Sequence, residues 1–219
     1  MHTRHTTICV LTSGGIESAA LLARMLRSGR SVMPVYVRGG LRWETAELTW
    51  LRRLLRALRG PRLQPLEVLE VPLRALYGTH WSVTGTRVPG ASSADRAVYL
   101  PGRNVLLISH AAIACVPRRI SQIAVGTLGG NPFSDATPRF FAQLAACLRV
   151  ALQAPLRILT PLRHLTKPRV IRSASEVPWH LTFSCLNPRG LAHCGRCNKC
   201  AERRLALRAA GVPEPPTRV

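Results

Sequence analysis

The chain has 219 residues, enough for one domain that builds a hydrophobic core without disulfides. Apolar residues make up 47% of it, which excludes disorder as the default, and no apolar run approaches the ~18 residues a membrane span needs. The formal charge is +21, from 31 basic residues against 10 acidic ones, and only Lys167 and Lys199 among the basic residues are lysines.

The arginines are spread over the whole chain with no basic tail, so there is no dedicated nucleic-acid arm. A field this positive favours anionic partners: nucleotides, pyrophosphate, RNA or an acidic protein. A general bias toward arginine is the plain alternative. The opening residues, MHTRHTTICV, carry no secretory pattern, and a soluble, cytoplasmic protein is expected.

Residues 7–11 (TICVL) are predicted as a strand and 17–29 as a helix ending at Gly29. Residues 32–37 make a second strand, and 43–59 an amphipathic helix stopped by Gly60 and Pro61. Residues 66–71 make a third strand. Residues 78–97, rich in Gly, Ser and Thr, read as a long loop of the kind that often carries function. A buried helix is expected over 103–116, a fourth strand over 121–127 and a helix over 138–152. A short fifth strand over 156–160 and a helix over 168–175 follow.

This alternation predicts an α/β fold: a Rossmann-like parallel sheet of about five strands, with right-handed crossovers and helices on both faces. Ligands bind such sheets beyond the carboxyl ends of the strands, which points to the loops after residues 11, 37, 71 and 127. From about residue 176 the pattern changes to Cys, Gly and basic residues. The expected division is a main domain over 1–175 and a small metal-binding element over 176–219 packed on it.

The stretch LTSGGIES at 11–18 lies between a strand and a helix. From Thr12 through Ser13, Gly14, Gly15, Ile16 and Glu17 to Ser18 it offers backbone N–H groups at a helix N-terminus, an anion nest. It lacks the lysine of the GxxxxGK(S/T) loop, and it lacks GxGxxG. An ordinary turn with Glu17 near the helix start is the structural alternative.

Residues 185–200 read CLNPRGLAHCGRCNKC, a C-x8-C-x2-C-x2-C spacing. Cys185, Cys194, Cys197 and Cys200 can close on one tetrahedral Zn²⁺ with no open position, a structural site. His193 would be a fifth donor and is left out. An iron–sulfur cluster is the other occupant such a set accepts, and the compartment disfavours disulfides. Cys9, Cys115 and Cys147 lie singly in apolar surroundings and are expected to be buried thiols.

The loop resembles the SGGxDS pyrophosphate loop of the ATP pyrophosphatase (PP-loop) superfamily, with Glu17 at the aspartate position. Further segments follow in order: PGRN at 101–104, NPFSDATPRFF around Asp135, TPLRHLTK ending at Lys167, and SC…HCGxCxxCxER from Ser184 to Arg203. Together, over nearly the whole chain, they resemble the 7-cyano-7-deazaguanine synthase family of queuosine precursor synthesis.

That resemblance implies an ATP-dependent, AMP-forming ligase. It would turn 7-carboxy-7-deazaguanine and ammonia into the amide and then the nitrile. Its cosubstrate would be ATP with Mg²⁺, and it would carry one structural Zn²⁺. Ser13, Gly14, Gly15 and Ser18 would hold pyrophosphate. Arg103 and Lys167 would neutralise charge at the α-phosphate, and Glu17 would be a direct or water-mediated Mg²⁺ ligand. Glu47, Asn104 and Asp135 would line the substrate side, Asp135 accepting from the guanine-like edge. Helix capping by Asp135 and a surface role for Arg103 are the structural alternatives. Trp81, beside His80, is placed either to stack on a planar base or to pack. The resemblance leaves room for a homodimer and implies no membrane partner.

The chain also departs from the family pattern. The family's YGQxHxxE-like stretch is here YVRGGLRWETAE, with Glu47 at the glutamate and the histidine changed. Its DCR triplet is here Asp135-Ala136-Thr137. Both departures flank the substrate end. A relative that stops at the amide, or joins a deazaguanine-like carboxylate to another amine such as a protein's, is therefore the second expectation. A tRNA-modifying or RNA-binding protein is the third. It is not favoured, because aromatics are only 5% and no stacking platform is readable.

Overall fold

Five short apolar runs form strands β1 (Thr7–Leu11), β2 (Ser31–Arg38), β3 (Glu67–Glu70), β4 (Gln122–Ala124) and β5 (Arg157–Leu159) in the computed structural model, which describes residues 6–214. Residues 1–5, where no secretory pattern is read, and 215–219 lie outside the described residues. The strands pair in parallel in the order β3-β2-β1-β4-β5. On the central strand Cys9 faces Met33 of β2 and Ile123 of β4. Ile8, Cys9 and Val10 are fully enclosed, which is why β1 reads as a continuous apolar run rather than an alternation.

The helices are α1 (Ile16–Arg27), α2 (Glu44–Ala57), α3 (Leu73–Tyr77), α4 (Trp81–Thr84), α5 (Arg103–Cys115), α6 (Pro138–Leu152), α7 (Lys167–Arg172) and α8 (Asn198–Ala209). The period of two along each strand sorts side chains between the faces. Ile8, Val10, Val32 and Ala124 join α1, α7 and α8 in one cluster. Cys9, Met33, Val35 and Ile123 join α5 and α6 in the other. Leu48 and Leu51 of α2 pack on Tyr36 and Val68. The expected three-layer fold with helices on both faces is present.

Three details differ from the sequence expectations. The stretch at 78–97 is not all loop: it holds α4, whose first turn is capped where His80 Nδ1 accepts from Ser82 N–H at 3.3 Å, and a 3₁₀ turn at Asp95–Val98. Its Gly and Thr content hid a helix of a single turn. Cys147 is exposed, whereas Cys9 and Cys115 are buried. On α6 the buried positions are Phe141, Ala145 and Leu148, and helical spacing turns Cys147 outward between the last two. The third detail is α8, which extends past the cysteines and sends Ala206 and Leu207 into the α1 cluster.

Two contacts fasten this last part of the chain beside the sheet. Phe183 N–H donates to Gly14 O at 2.9 Å. The cysteines pack with Leu41, Trp43 and Phe183 in a third cluster. No described helix is long and apolar enough to cross a membrane.

Candidate active site

After β1 the chain moves to one side for β2 and β3, and β4 returns on the other side. A cavity of about 500 Å³ opens at this reversal, beyond the carboxyl ends of β1, β2 and β4. Thr12 and Ser13 enter it from β1, Tyr36 and Val37 from β2, and Val125 to Phe133 from β4. The segment after β3 contributes only from Asp95 onward.

One side of the cavity is built on the β1–α1 turn. Gly14 takes φ +77°, a left-handed conformation, and a Cβ there would stand 3.2 Å from Leu51 Cβ, so the turn lies flat on α2. The hydroxyls of the turn are closed on themselves. Ser18 Oγ accepts from Ser13 N–H at 3.2 Å and donates to Gly15 O at 3.2 Å, and Gly15 N–H donates to Ser13 Oγ at 3.3 Å. Gly14, Gly15 and Ile16 are buried, Ile16 in the core, while Thr12, Ser13, Glu17 and Ser18 line the cavity.

Lys167, the first residue of α7, closes this side. Its Nζ lies 2.6 Å from Glu17 Oε1 and 2.5 Å from Glu202 Oε1, and Lys199 Nζ lies 2.6 Å from Glu202 Oε2. Burial pulls the Lys167 pKa down, but the Glu17 and Glu202 carboxylates outweigh it and leave it raised, so the ammonium is held charged. Glu202 and Lys199 both lie on α8, so the cysteine-bearing helix reaches this side of the cavity directly.

The opposite side is anchored by α2 and α5. Glu47 is buried and accepts from Tyr36 O–H at 2.9 Å. Burial pushes its pKa up to about 7; Arg103 and the Tyr36 hydrogen bond oppose the rise, and Glu44 adds to it. Glu44, next to it in the helix, accepts from the Gly39 and Gly40 N–H groups at 2.8 and 2.7 Å and holds the β2–α2 turn. Arg103 lines the cavity with its guanidinium 5.8 Å from the Trp43 ring centre.

Asp135 does cap a helix, but not the one that follows it. Its Oδ2 accepts from Asn104 N–H at 3.1 Å in the first turn of α5, where Gly102 has no side chain to offer. Asn104 Nδ2 returns a bond to Asp135 O at 2.8 Å. The following helix, α6, is capped by Thr137, which accepts from Phe140 N–H at 3.1 Å. The structure thus brings Ser13, Glu17, Ser18, Glu47, Arg103, Asn104, Asp135 and Lys167 to one cavity.

Trp81 and His80 stand elsewhere, packed with each other and with Trp43 at ring separations of 5.0 and 5.9 Å, and neither lines the cavity. The aromatic pair at the cavity is Tyr99 and Phe133, 5.0 Å apart. These two, with Tyr36, Thr127, Lys199 and Glu202, are lining residues that the sequence expectations did not assign. Tyr99 lies two residues before PGRN, Phe133 lies within NPFSDATPRFF, and Lys199 and Glu202 lie within the segment from Ser184 to Arg203, so signals for these four were present. Three buried polar atoms at the cavity have no hydrogen-bond partner within the protein: Thr12 Oγ1, Thr127 Oγ1 and Arg103 Nε. Buried polar atoms without a partner are costly, and these three are open to pairing with water or a polar ligand in the cavity.

The Sγ atoms of Cys185, Cys194, Cys197 and Cys200 all lie within 4.8 Å of one another. Cys197 Sγ accepts from Leu186 N–H at 3.4 Å, and Cys185 Sγ from Cys194 N–H at 3.3 Å. Backbone donors of this kind favour thiolates, and the set fits one tetrahedral metal ion. His193 stays out of it: its Nε2 accepts from Ser184 N–H at 3.2 Å and its ring packs on Phe183.

Residues 7–211 match the family model described as queuosine biosynthesis protein QueC. A 7-cyano-7-deazaguanine synthase of Anaeromyxobacter dehalogenans (strain 2CP-C) is 34% identical, covering 94% of this chain and 93% of that protein. One from Leptospira interrogans (serovar Lai, strain 56601) is 27% identical, covering 94% and 88%. Among solved structures, a 4-thiouridine synthetase in an RNA complex with bound ATP superposes with a TM-score of 0.54 at 16% identity, covering 94% of this chain and 50% of that one. The U34-tRNA thiolase NcsA of Methanococcus maripaludis, with its 4Fe-4S cluster, gives 0.51 at 12% identity, covering 98% and 76%. Those two likenesses concern the fold. The match over residues 7–211 and the identity of the full-length relatives place the chain in the queuosine biosynthesis protein QueC family.

Proposed function

We propose that this protein is an ATP-dependent, AMP-forming ligase that converts 7-carboxy-7-deazaguanine and ammonia to 7-cyano-7-deazaguanine. The observation that carries the reading is the two-sided cavity. A self-closed pyrophosphate loop and a charged lysine form one wall, and a buried carboxylate with an arginine forms the other. The orphaned Thr12, Thr127 and Arg103 atoms supply the polar contacts a nucleotide and a planar acid would use.

In this reading the carboxylate oxygen attacks the α-phosphorus of ATP and pyrophosphate leaves. Ser13 and Ser18 exchange their internal hydrogen bonds for the departing oxygens. Lys167 and Arg103 offset the charge that develops at the α-phosphate, an effect worth roughly 10²–10³-fold per donor. Ammonia displaces AMP to give the amide. A second adenylation, on the amide oxygen, precedes loss of AMP and formation of the nitrile. ATP would arrive with Mg²⁺, which Glu17 would reach directly or through water with the carboxylate oxygen that does not meet Lys167. The four-cysteine set would hold Zn²⁺ as a structural ion, with the residues from 176 onward forming its element on the main domain.

The test is a product assay with ATP, Mg²⁺, ammonium and 7-carboxy-7-deazaguanine, read by mass spectrometry alongside the yield of AMP. The nitrile with two AMP per molecule is expected. The amide with one AMP would assign the shorter reaction that the Asp135-Ala136-Thr137 departure suggests. A conjugate with another amine would assign the transfer reaction. No AMP from any deazaguanine carboxylate would overturn the reading.

A further inference from the structure

The reaction proposed above has an unmet requirement. The nitrogen that enters as ammonia ends as a nitrile nitrogen, so it must surrender three protons within one site. One leaves as the C–N bond forms and the C–O bond to AMP breaks. A second leaves as the amide becomes the neutral imidate adenylate. The third leaves as the second C–O bond breaks and the carbon–nitrogen triple bond forms.

Few side chains can take them. Among the described residues neither histidine nor cysteine lines the cavity, and five carboxylates do. Glu17 and Glu202 are committed to lysines at 2.5–2.6 Å. Asp135 is committed to the α5 N-terminus. Asp95 is exposed at the rim. Glu47 remains, buried, with one hydrogen bond from Tyr36 O–H.

Its placement is equally specific. Leu51, which touches the phosphate turn at Gly14, lies four residues after Glu47 on the same face of α2. Glu47 therefore stands one helical turn from the loop that takes the pyrophosphate. We propose that Glu47 is the proton acceptor for the attacking nitrogen, used in turn at each of its three deprotonations and discharged to solvent between them. This role rests on the ligase reading above.

The charged and titratable groups that face Glu47 are Tyr36 from β2, Glu44 from its own helix and Arg103 from α5. Burial, with the carboxylates of Glu47 and Glu44, keeps the Tyr36 phenol far above its ordinary pKa, so it remains a donor. With its own pKa raised to about 7, Glu47 is poised for exchange near neutrality.

The experiment separates adenylation from the nitrogen steps in Glu47→Gln. Pyrophosphate release with the carboxylate and ATP reads whatever Glu47→Gln costs in holding the substrate, and hydroxylamine should still trap the acyl adenylate as a hydroxamate. Ammonia-dependent AMP release should fall ~10²-fold or more beyond that cost. At constant free ammonia, the acid limb that Glu47 imposes on that step in the native protein should vanish in Glu47→Gln. It should move to higher pH in Tyr36→Phe, which removes a bond that favours the ionised carboxylate.

A native ammonia step in Glu47→Gln would overturn the role. So would an equal loss of adenylation and ammonolysis, which would mark a group that only holds the substrate. A native protein that releases no pyrophosphate with the carboxylate would remove the ligase reading itself, and this role with it.

Discussion

Glu17 stands where the superfamily loop carries aspartate, and its Oε1 lies 2.6 Å from Lys167 Nζ. Its charge therefore goes to fixing Lys167, the lysine proposed to act at the α-phosphate. Glu17→Gln should lower pyrophosphate release strongly, because Lys167 then leans on Glu202 alone, and Glu17→Asp should lower it mildly. Lys167→Met should cost adenylation ~10²-fold or more, measured by the same release. Glu47 carries a second consequence, for stability. Its folded pKa of about 7 lies above the ordinary 4.5, so the folded state binds the proton more tightly than the unfolded chain between those values. That contribution is complete below pH 4.5 and lost as pH rises through 7. Glu47→Gln should thus melt higher than the native protein at pH 8, with the gain shrinking toward pH 4.5 in thermal scans. The residues themselves were legible in the sequence, since each named position falls in a short segment with its own chemistry. Their pairings were not. Lys167 meets Glu17 across 150 positions and Asp135 caps a helix that starts 32 positions earlier, and no local pattern encodes a partner that distant.

The elements were legible where periodicity is strong, and obscured where a single turn decides. β1, α2, α5 and α6 follow from apolar spacing over 5, 14, 13 and 15 residues. α4 has four residues and α3 five, too few for a period to show. Strand β4 has only three residues, yet it delivers Thr127 and the glycine-rich turn that floors the cavity. Close approach explains the glycine that follows it. A Cβ on Gly126 would stand 3.2 Å from the Glu17 backbone, so the chain leaving β4 touches the start of α1 there. Gly126→Ala should push the first turn of α1 aside and raise the KM for ATP, while unfolding midpoints change little. Gly14→Ala should be harsher. Its left-handed backbone adds about 1–2 kcal/mol before the contact with Leu51 is counted, so both the denaturation midpoint and ATP affinity should drop.

The whole molecule ties its four-cysteine cluster to the β1–α1 turn. Phe183 bonds the phosphate turn through Gly14 O, and α8 carries both Cys200 and the Glu202 that holds Lys167. Stripping the metal with a chelator, or making Cys197→Ser, should therefore lower the melting temperature and weaken ATP binding together. Metal analysis of the native protein should return one zinc per chain; iron with a brown absorbance would assign a cluster instead. Charge is divided by location too. Five of the ten acidic residues line the cavity, and Arg27, Arg38 and Arg118 pair with three of the remainder, leaving an exterior governed by arginine. Retention on a polyanion resin should follow and should fall steeply with salt, with native protein and Lys167→Met eluting alike.

The two lysines of the chain are both at this site, while the other 29 of its 31 lysine and arginine side chains are guanidinium groups. Amine chemistry is therefore confined to the place of interest. Reductive methylation with carbon-13 formaldehyde would install just two side-chain labels, plus one on the terminal amine, and each keeps its positive charge. Lys167, clasped between two carboxylates, should resist the reagent longer than Lys199, and its resonance should move when nucleotide enters. The composition of the chain thus furnishes a built-in spectroscopic reporter, with no residue replaced.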